Sequence, residues 1–575
     1  MNHAFDVIIV GGGPAGTTCG TLLKKYNPNL NVALFEREAF PRDHVGESQL
    51  PIVSQVLHEM GVWDKVEGAN FPVKIGATYR WGLSDQLWNF EFLANGDFGT
   101  EARPAKYEGQ RQSTAFQVDR SVYDKILLDH CREMGVKVFE KTRVVQVLTD
   151  QDKVTGVQID ESAPSAIRSN ALTARYYVDA TGGSGLFRRA LKINSVFPTK
   201  LQNVAIWDYW QDAKWAESIG IGGTRIRILS LGYGWIWFIP VSATRSSIGL
   251  VVPASYVKEA GKSPTELYAQ AVKSDPVLSE LLSQATPEGK LATTRDWSFL
   301  ADRLVGENWF LCGESAGFAD PILSAGMTLA HMGARDVAYT ILALDRKDFE
   351  PHWLRSRYEE GQREKIRQHI RFADFWYSAN GQFSDLKDHS KEIAKDIGLD
   401  LTPDEAWQWL GTGGFVSHEM VGASFGGYSL RAAKKISGNF LGTEPRFKIA
   451  GQNVFELNLD GAEKRWGATL ENGRIGRHRA YYRNGRYLPK AAHYGVILNC
   501  LKPKASAIEI WNSFNQMGAQ HKMTPDELQR FFDDGFDALE SMVADGWVRA
   551  SFDPSERPLA APAINDSYIR AHVKA

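Results

Sequence analysis

Three glycines carry the first chemical signal. Gly11, Gly13 and Gly16 stand in Gly11-Gly-Gly-Pro14-Ala15-Gly16 at the spacing GxGxxG, and Glu36, with Arg37 beside it, follows Gly16 by twenty residues. Gly11 permits a tight turn, Gly13 lets backbone approach a pyrophosphate, and Gly16 allows a helix to pack closely on a strand. A helix opening at Pro14 and Ala15 aims unpaired N–H groups and its positive dipole end at the phosphates, and Glu36 would bind the ribose hydroxyls. On this motif alone both FAD and NAD remain open. Lys74 is a second candidate. At a surface it is an ordinary solvated charge, whereas burial would depress its pKa and make it a selective donor or an amine. Trp235 and Trp237 alternate, so both rings fall on one face of a strand, as plain core or as the wall of a pocket.

The elements that must hold these residues surround them. Phe5-Asp-Val-Ile-Ile-Val10 is the β-branched run of a parallel strand buried on both faces, a helical pattern reaches to about Tyr26, and Asn31-Val-Ala-Leu-Phe35 is a second strand ending at Glu36. Further on, Gln117-Val-Asp-Arg120 precedes a helix. Tyr177-Val-Asp-Ala-Thr-Gly182-Gly is an apolar strand ending in glycines, and Asn308 to Pro321 reads as a strand, a Gly313-Glu314 turn and a helix start. The 575 residues hold 66 Lys+Arg against 68 Asp+Glu, a net charge of −2, with 43% hydrophobic and 23% charged residues. That usage excludes global disorder, and the balanced charge gives no case for nucleic acid or an anionic membrane as partner. No run approaches the ~18 apolar residues of a spanning helix, and the N-terminus has no basic leader. Cys19, Cys131, Cys312 and Cys500 lie too far apart for a disulfide framework or a metal cluster, so a cytoplasmic protein without a metal site is expected.

The three later segments resemble, in order and spacing, the flavin-contacting segments of the class A flavin monooxygenase superfamily. The resemblance implies FAD, with Gln117, Arg120, Gly182, Gly313 and Glu314 at the cofactor, although that family has Gly-Asp where this chain has Gly313-Glu314. Three more motifs resemble one branch, the flavin-dependent halogenases. Phe40-Pro-Arg42-Asp-His-Val-Gly-Glu-Ser48-Gln-Leu-Pro51 is similar to their VGESLLP segment, Gly234-Trp-Ile-Trp-Phe-Ile-Pro240 is an intact WxWxIP, and Pro72 to Gly82 resembles the segment whose lysine they use. Together these cover about residues 5–380. They imply that FADH2 and O2 turn bound chloride or bromide into hypohalous acid. Lys74 then hands that oxidant to an electron-rich substrate, free or tethered to a carrier protein, and a separate flavin reductase is the partner. Trp235, Trp237 and Pro240 become a wall between substrate and flavin, and Arg42 and Ser48 cofactor contacts.

In Asp320-Pro-Ile-Leu-Ser-Ala325-Gly326, the resemblance puts the halide on the amides of Ala325 and Gly326 and Asp320 at the cofactor, with Ser324 also a candidate helix cap. Tryptophan halogenases carry glutamate where Leu323 stands, so the chain looks more like the phenol-, pyrrole- and carrier-protein-acting enzymes, closest to the chloramphenicol-pathway type. Asp296, in Thr294-Arg-Asp-Trp-Ser298, matches a flavin-edge segment and has two open fates, a salt bridge with Arg295 or Arg303, or an ester to a flavin methyl group. A single-component NAD(P)H-dependent monooxygenase or reductase of the same fold is the alternative.

The expected fold is α/β (α+β overall). A Rossmann-like FAD core takes 1–185 and 290–345, and an interleaved mixed substrate sheet takes 70–115 and 186–290. A helical region over 346–484 contains glycine-rich loops at Gly411 and Gly426. A winged-helix-like module at 485–575 has helix starts at Ser506 and Thr524. That tail is not basic, which favours a lid or carrier-docking surface over DNA binding.

Overall fold

The structure is a computed structural model describing residues 3–81, 87–91, 114–160, 171–199, 202–214, 223–378, 391, 447–483, 486–490, 492–502, 504–557 and 569–571. The Gly411 and Gly426 loops lie outside the described residues. A five-stranded parallel sheet runs in the order Trp309–Leu311, Ala174–Asp179, Phe5–Val10, Val32–Phe35, Lys137–Phe139. Val7, Ile8 and Ile9 have no exposed surface, as expected of a strand covered on both faces. The helix Pro14–Tyr26 opens directly after the first strand, with proline in its first turn, where a missing N–H costs nothing.

A second, larger sheet carries Lys74 and the tryptophans. Its main path is Thr286–Pro287, Gln202–Gln211, Arg245–Pro253, Gly234–Pro240, Gly223–Leu231, Val73–Arg80, Trp88–Glu91 and Ile569–Ala571. Among the described residues only the contact of Gly223–Leu231 with Val73–Arg80 is parallel in this sheet, because these two strands are separated in sequence by a crossing of the first layer. Ala292–Trp297 pairs with Gln202–Gln211, setting Asp296 opposite Asn203. The expected boundary at 290 therefore shifts, since this strand belongs to the larger sheet and not to the cofactor core.

The helix Pro351–Ser378 follows Ala325–Arg346, and its Leu354, Tyr358, Ile366 and Ile370 complete the cofactor-domain core. The expected helical region is corrected beyond it. Residues Val454–Leu457, Glu463–Glu471 and Arg474–Arg483 are strands, and the last two form a hairpin whose alternating Arg and aromatic residues suit a pleated surface. The hairpin docks on Ala325–Arg346, where Arg335 and Arg346 donate to the carbonyls of Leu470 and Gly473 at 2.8 and 2.9 Å. The C-terminal unit includes residues before 485, because Phe447, Ile449 and Phe455 join the core of its helices Ala492–Cys500, Ala507–Gln520 and Pro525–Ala544. Ser506 and Thr524 cap two of these helices through capping boxes with Glu509 and Glu527.

Candidate active site

A cleft of about 470 Å³ opens at the carboxyl ends of the parallel strands. Gly11, Gly13, Pro14, Ala15, Glu36, Arg37, Arg42, Arg120, Gly182, Gly313, Glu314 and Gly326 all line it. The motif glycines do different work. Gly11 has φ +112°, and a Cβ there would lie 2.2 Å from the Ala180 carbonyl oxygen, while one on Gly16 would lie 1.9 Å from the Gly11 oxygen. On Gly13 a Cβ would meet only Arg42, at 3.6 Å. Gly16 is thus a packing residue, and the protein itself leaves room at Gly13 for a ligand to come close.

Glu36 is more occupied than a free ribose acceptor. Its carboxylate takes the N–H of Gly12 at 2.6 Å and of Glu38 at 2.8 Å, so it also fixes the turn. Arg120 is buried and holds Asp124 bidentately at 2.7 and 2.9 Å, and it donates to the carbonyls of Val45 and Gly46 at 3.1 Å. Arg42 reaches the same Asp124 at 3.6 Å. One aspartate therefore anchors both arginines, and its position four residues after Arg120 on the helix Arg120–Glu133 was the signal for it in the sequence. Burial raises the pKa of Glu314, against the pull of Arg120.

Ser48 and Gln117 face each other across an isolated β-bridge, both buried, outside the cleft lining. The Ser48 hydroxyl and both amide atoms of Gln117 find no partner among the described residues. Buried polar atoms are rarely left so. With the open Gly13 and the arginine-rich cleft, they fit a flavin dinucleotide that supplies the missing partners.

Lys74 lies on Val73–Arg80, 2% exposed, and donates to the Gln49 carbonyl at 2.9 Å. Burial lowers its pKa from 10.5 to about 7. Trp235 and Trp237 pack on one face at 6.0 Å between ring centroids, and Pro240 ends their strand. Trp237 fills the space over Gly249, directly across the pair, where a Cβ would come within 2.1 Å of its ring, and its Nε1 donates to Ser247 at 3.1 Å.

Three further residues of the expected site have their own surroundings. Asp320 does not line the cleft; its carboxylate caps the N–H of Ile322 at 2.9 Å and accepts from Tyr377 at 3.2 Å, and burial raises its pKa. Ser324 does not cap the helix through its hydroxyl. It sits at φ +56° and turns the chain into Ala325–Arg346, where Ala325 is buried and Gly326 reaches the cleft. The side chain of Asp296 lies outside the described residues, and Arg303, one expected partner, bonds Asp152 at 2.8 Å.

Sequence reasoning missed Tyr377, whose hydroxyl accepts from Trp235 at 2.7 Å and so joins Pro351–Ser378 to the tryptophan strand. It also missed Arg245, which lies 3.7 Å over Tyr209 and pairs with Asp119 at 2.7 Å, Glu288 at 2.9 Å and Asp43 at 3.5 Å. Tyr209 in turn donates to the buried Glu47 at 2.8 Å. No local pattern signals such contacts, because each joins residues far apart in the sequence. Among the described residues no three His, Cys, Asp or Glu side chains gather as metal ligands would, and no helix is long and apolar enough to cross a membrane.

Comparison with known proteins gives these features a family. The FAD binding domain family matches residues 4–373. The chain is 32% identical over 347 residues to a tryptophan 2-halogenase of Chondromyces crocatus, covering 60% of this chain but only 62% of that protein's length. It is 31% identical over 402 residues to a 1H-pyrrole-2-carbonyl-(peptidyl-carrier protein) chlorinase of Pseudomonas fluorescens, covering 67% of this chain and 86% of that one. In fold it is similar to CmlS, a flavin-dependent halogenase, with a TM-score of 0.71 and 23% identity over 98% of both chains. It is also similar to the myxobacterial chondrochloren halogenase CndH, with a TM-score of 0.58 and 25% identity over 76% of this chain and 97% of that one. A family match through both layers, and a chlorinase relative covered over most of its length, mean that this chain belongs to the flavin-dependent halogenases, oxidoreductases that use FAD and a halide.

Proposed function

We propose that the protein is an FADH2- and O2-dependent halogenase in which hypohalous acid, made beside the start of Ala325–Arg346, reaches an electron-rich organic substrate through Lys74. The observation that carries this is the fully buried lysine with a pKa lowered to about 7. FADH2, when bound, supplies with O2 the two-electron oxidation of the halide. The chain's own residues do the rest. The amides of Ala325 and Gly326, at the positive end of a 22-residue helix, hold the halide anion. Near neutral pH both forms of Lys74 are populated. The ammonium donates to the oxygen of hypohalous acid and orients it; the neutral amine attacks the halogen, forming an N–halogen bond with loss of water. Trp235 and Trp237 keep the substrate off the flavin.

A separate flavin reductase delivers the reduced cofactor, and the carrier-protein chlorinase relative supports a tethered, pyrrole-like substrate. The four free cysteines are in keeping with a cytoplasmic setting. The test combines the purified protein with a flavin reductase, FAD, NADH, bromide or chloride, and electron-rich phenols and pyrroles, free and carrier-bound, read by mass spectrometry. Halogenated product that requires the reductase is expected. NADPH oxidation by the protein alone, with oxygenated and not halogenated product, would establish the single-component monooxygenase instead.

A further inference from the structure

Five buried polar atoms without a partner among the described residues lie on the segment that carries the halide turn or on segments beside Lys74: Thr328 Oγ1 on the first, and Ser48 Oγ, Gln49 Oε1 and both amide atoms of Gln117 on the others. An unpaired buried polar atom costs about 1–3 kcal/mol, so a group of them calls for an occupant. The flavin accounts for Ser48 and Gln117, both expected at the cofactor. Gln49 is not among the residues expected at the cofactor.

Gln49 has no exposed surface, and its backbone joins both sides of the site. Its N–H donates to the Phe116 carbonyl at 3.0 Å, and its own carbonyl holds Lys74 Nζ at 2.9 Å. Its side-chain Nε2 lies 3.9 Å from the sulfur of Met327, the residue after Gly326, and Gln49 also interacts with Tyr123. The amide nitrogen therefore has a partner, and the oxygen has no hydrogen-bond partner among the described residues. Where the halogenase segment VGESLLP has leucine, this chain has a buried amide oxygen between the turn and the lysine.

We infer that Gln49 Oε1 accepts the O–H of hypohalous acid on its way from the Ala325–Gly326 turn to Lys74. The amide is a way-station that keeps the oxidant inside the protein and presents its oxygen to the ammonium. The inference rests on the proposed halogenase reaction and deepens it, because it assigns the oxidant a second binding group.

The test uses the full-length FAD-loaded protein with a flavin reductase and bromide. Gln49→Met keeps the length of the side chain without the oxygen, and Gln49→Leu restores the family residue, so a folding defect in one leaves the other. Neither touches the backbone carbonyl that holds Lys74. Three quantities are read: O2 consumed, brominated monochlorodimedone as a measure of escaped hypobromous acid, and the pH dependence of Lys74 labelling by an amine-reactive reagent in the FAD-free protein. Expected are unchanged O2 consumption, an unchanged Lys74 titration, and escape per O2 raised about fivefold, the fold-change of one lost neutral hydrogen bond. Escape per O2 equal to that of the unaltered protein in both variants would overturn the inference. Absence of any bromide-dependent oxidant from the unaltered protein would instead overturn the halogenase reading.

Discussion

Lys74 shows how one residue can work against the fold that holds it. Its pKa falls from 10.5 to about 7 through burial, and each unit corresponds to about 1.4 kcal/mol of stability. The unfolded lysine keeps its proton up to about pH 10.5 and the buried one only to about 7, so the cost is full below pH 7 and fades as pH rises to 10.5. Lys74→Met should therefore retain FAD, lose halogenation, and melt at a higher temperature than the unaltered protein at pH 6–7, with the difference shrinking towards pH 10. The Gln49 carbonyl, deprived of its donor, offsets about 1–3 kcal/mol of that gain. Melting curves against pH check it, and a variant less stable throughout would refute the account. The motif glycines give a second contrast at this scale. Gly13→Val should fold but bind little flavin, because its Cβ meets only Arg42 at 3.6 Å in the protein alone, whereas Gly16→Val should fail to fold, its Cβ falling 1.9 Å from a backbone oxygen. Far-ultraviolet circular dichroism and flavin absorbance separate the two outcomes.

At the scale of elements, the tryptophan strand depends on what lies across from it. Gly249→Ala drives a Cβ to within 2.1 Å of the Trp237 ring, and overpacking of this kind costs about 1–3 kcal/mol. A lower midpoint in urea with unchanged FAD affinity is expected, since neither residue lines the cleft. The elements themselves were largely legible. Phe5–Val10, the turn at Gly11 and the helix Pro14–Tyr26 announce themselves through a β-branched run, glycine spacing and a proline, all of them local signals. The strands after Phe447 were not. Their alternation of Arg with Tyr and Trp on a hairpin reads as charged and irregular until the partner strand is known, because the cation–aromatic stacking of Arg477 and Arg479 on Trp466 exists only across the pair. The surroundings of Asp320 were hidden for a related reason. Its neighbours in sequence point to the flavin, but its neighbours in space, Asn203 and Tyr377, come from 117 residues before it and 57 after.

The molecule as a whole is held across its two layers by side chains such as Arg245, which starts a strand of the larger sheet yet pairs with Asp43 and Asp119 beside the cleft. Arg245→Gln should lower stability by about 1–3 kcal/mol, allowing for the partial exposure of these pairs. It should also weaken FAD binding measurably in fluorescence titrations, because the loop bearing Arg42 and Gly46 loses its tie to the sheet. Unchanged flavin affinity would count against that coupling. The path of the chain carries a wider consequence. It visits the parallel sheet, leaves for the larger sheet at Val73, returns at Lys137, leaves again at Gln202 and returns at Trp309. Neither layer is therefore a contiguous cassette. Exchange of the substrate sheet between relatives by recombination requires three simultaneous grafts, around residues 70–116, around 200–297 and at the strand Ile569–Ala571. Single-crossover libraries cut inside either span would pair strands that never evolved together along Val73–Arg80 and Gly223–Leu231, the one parallel seam in that sheet.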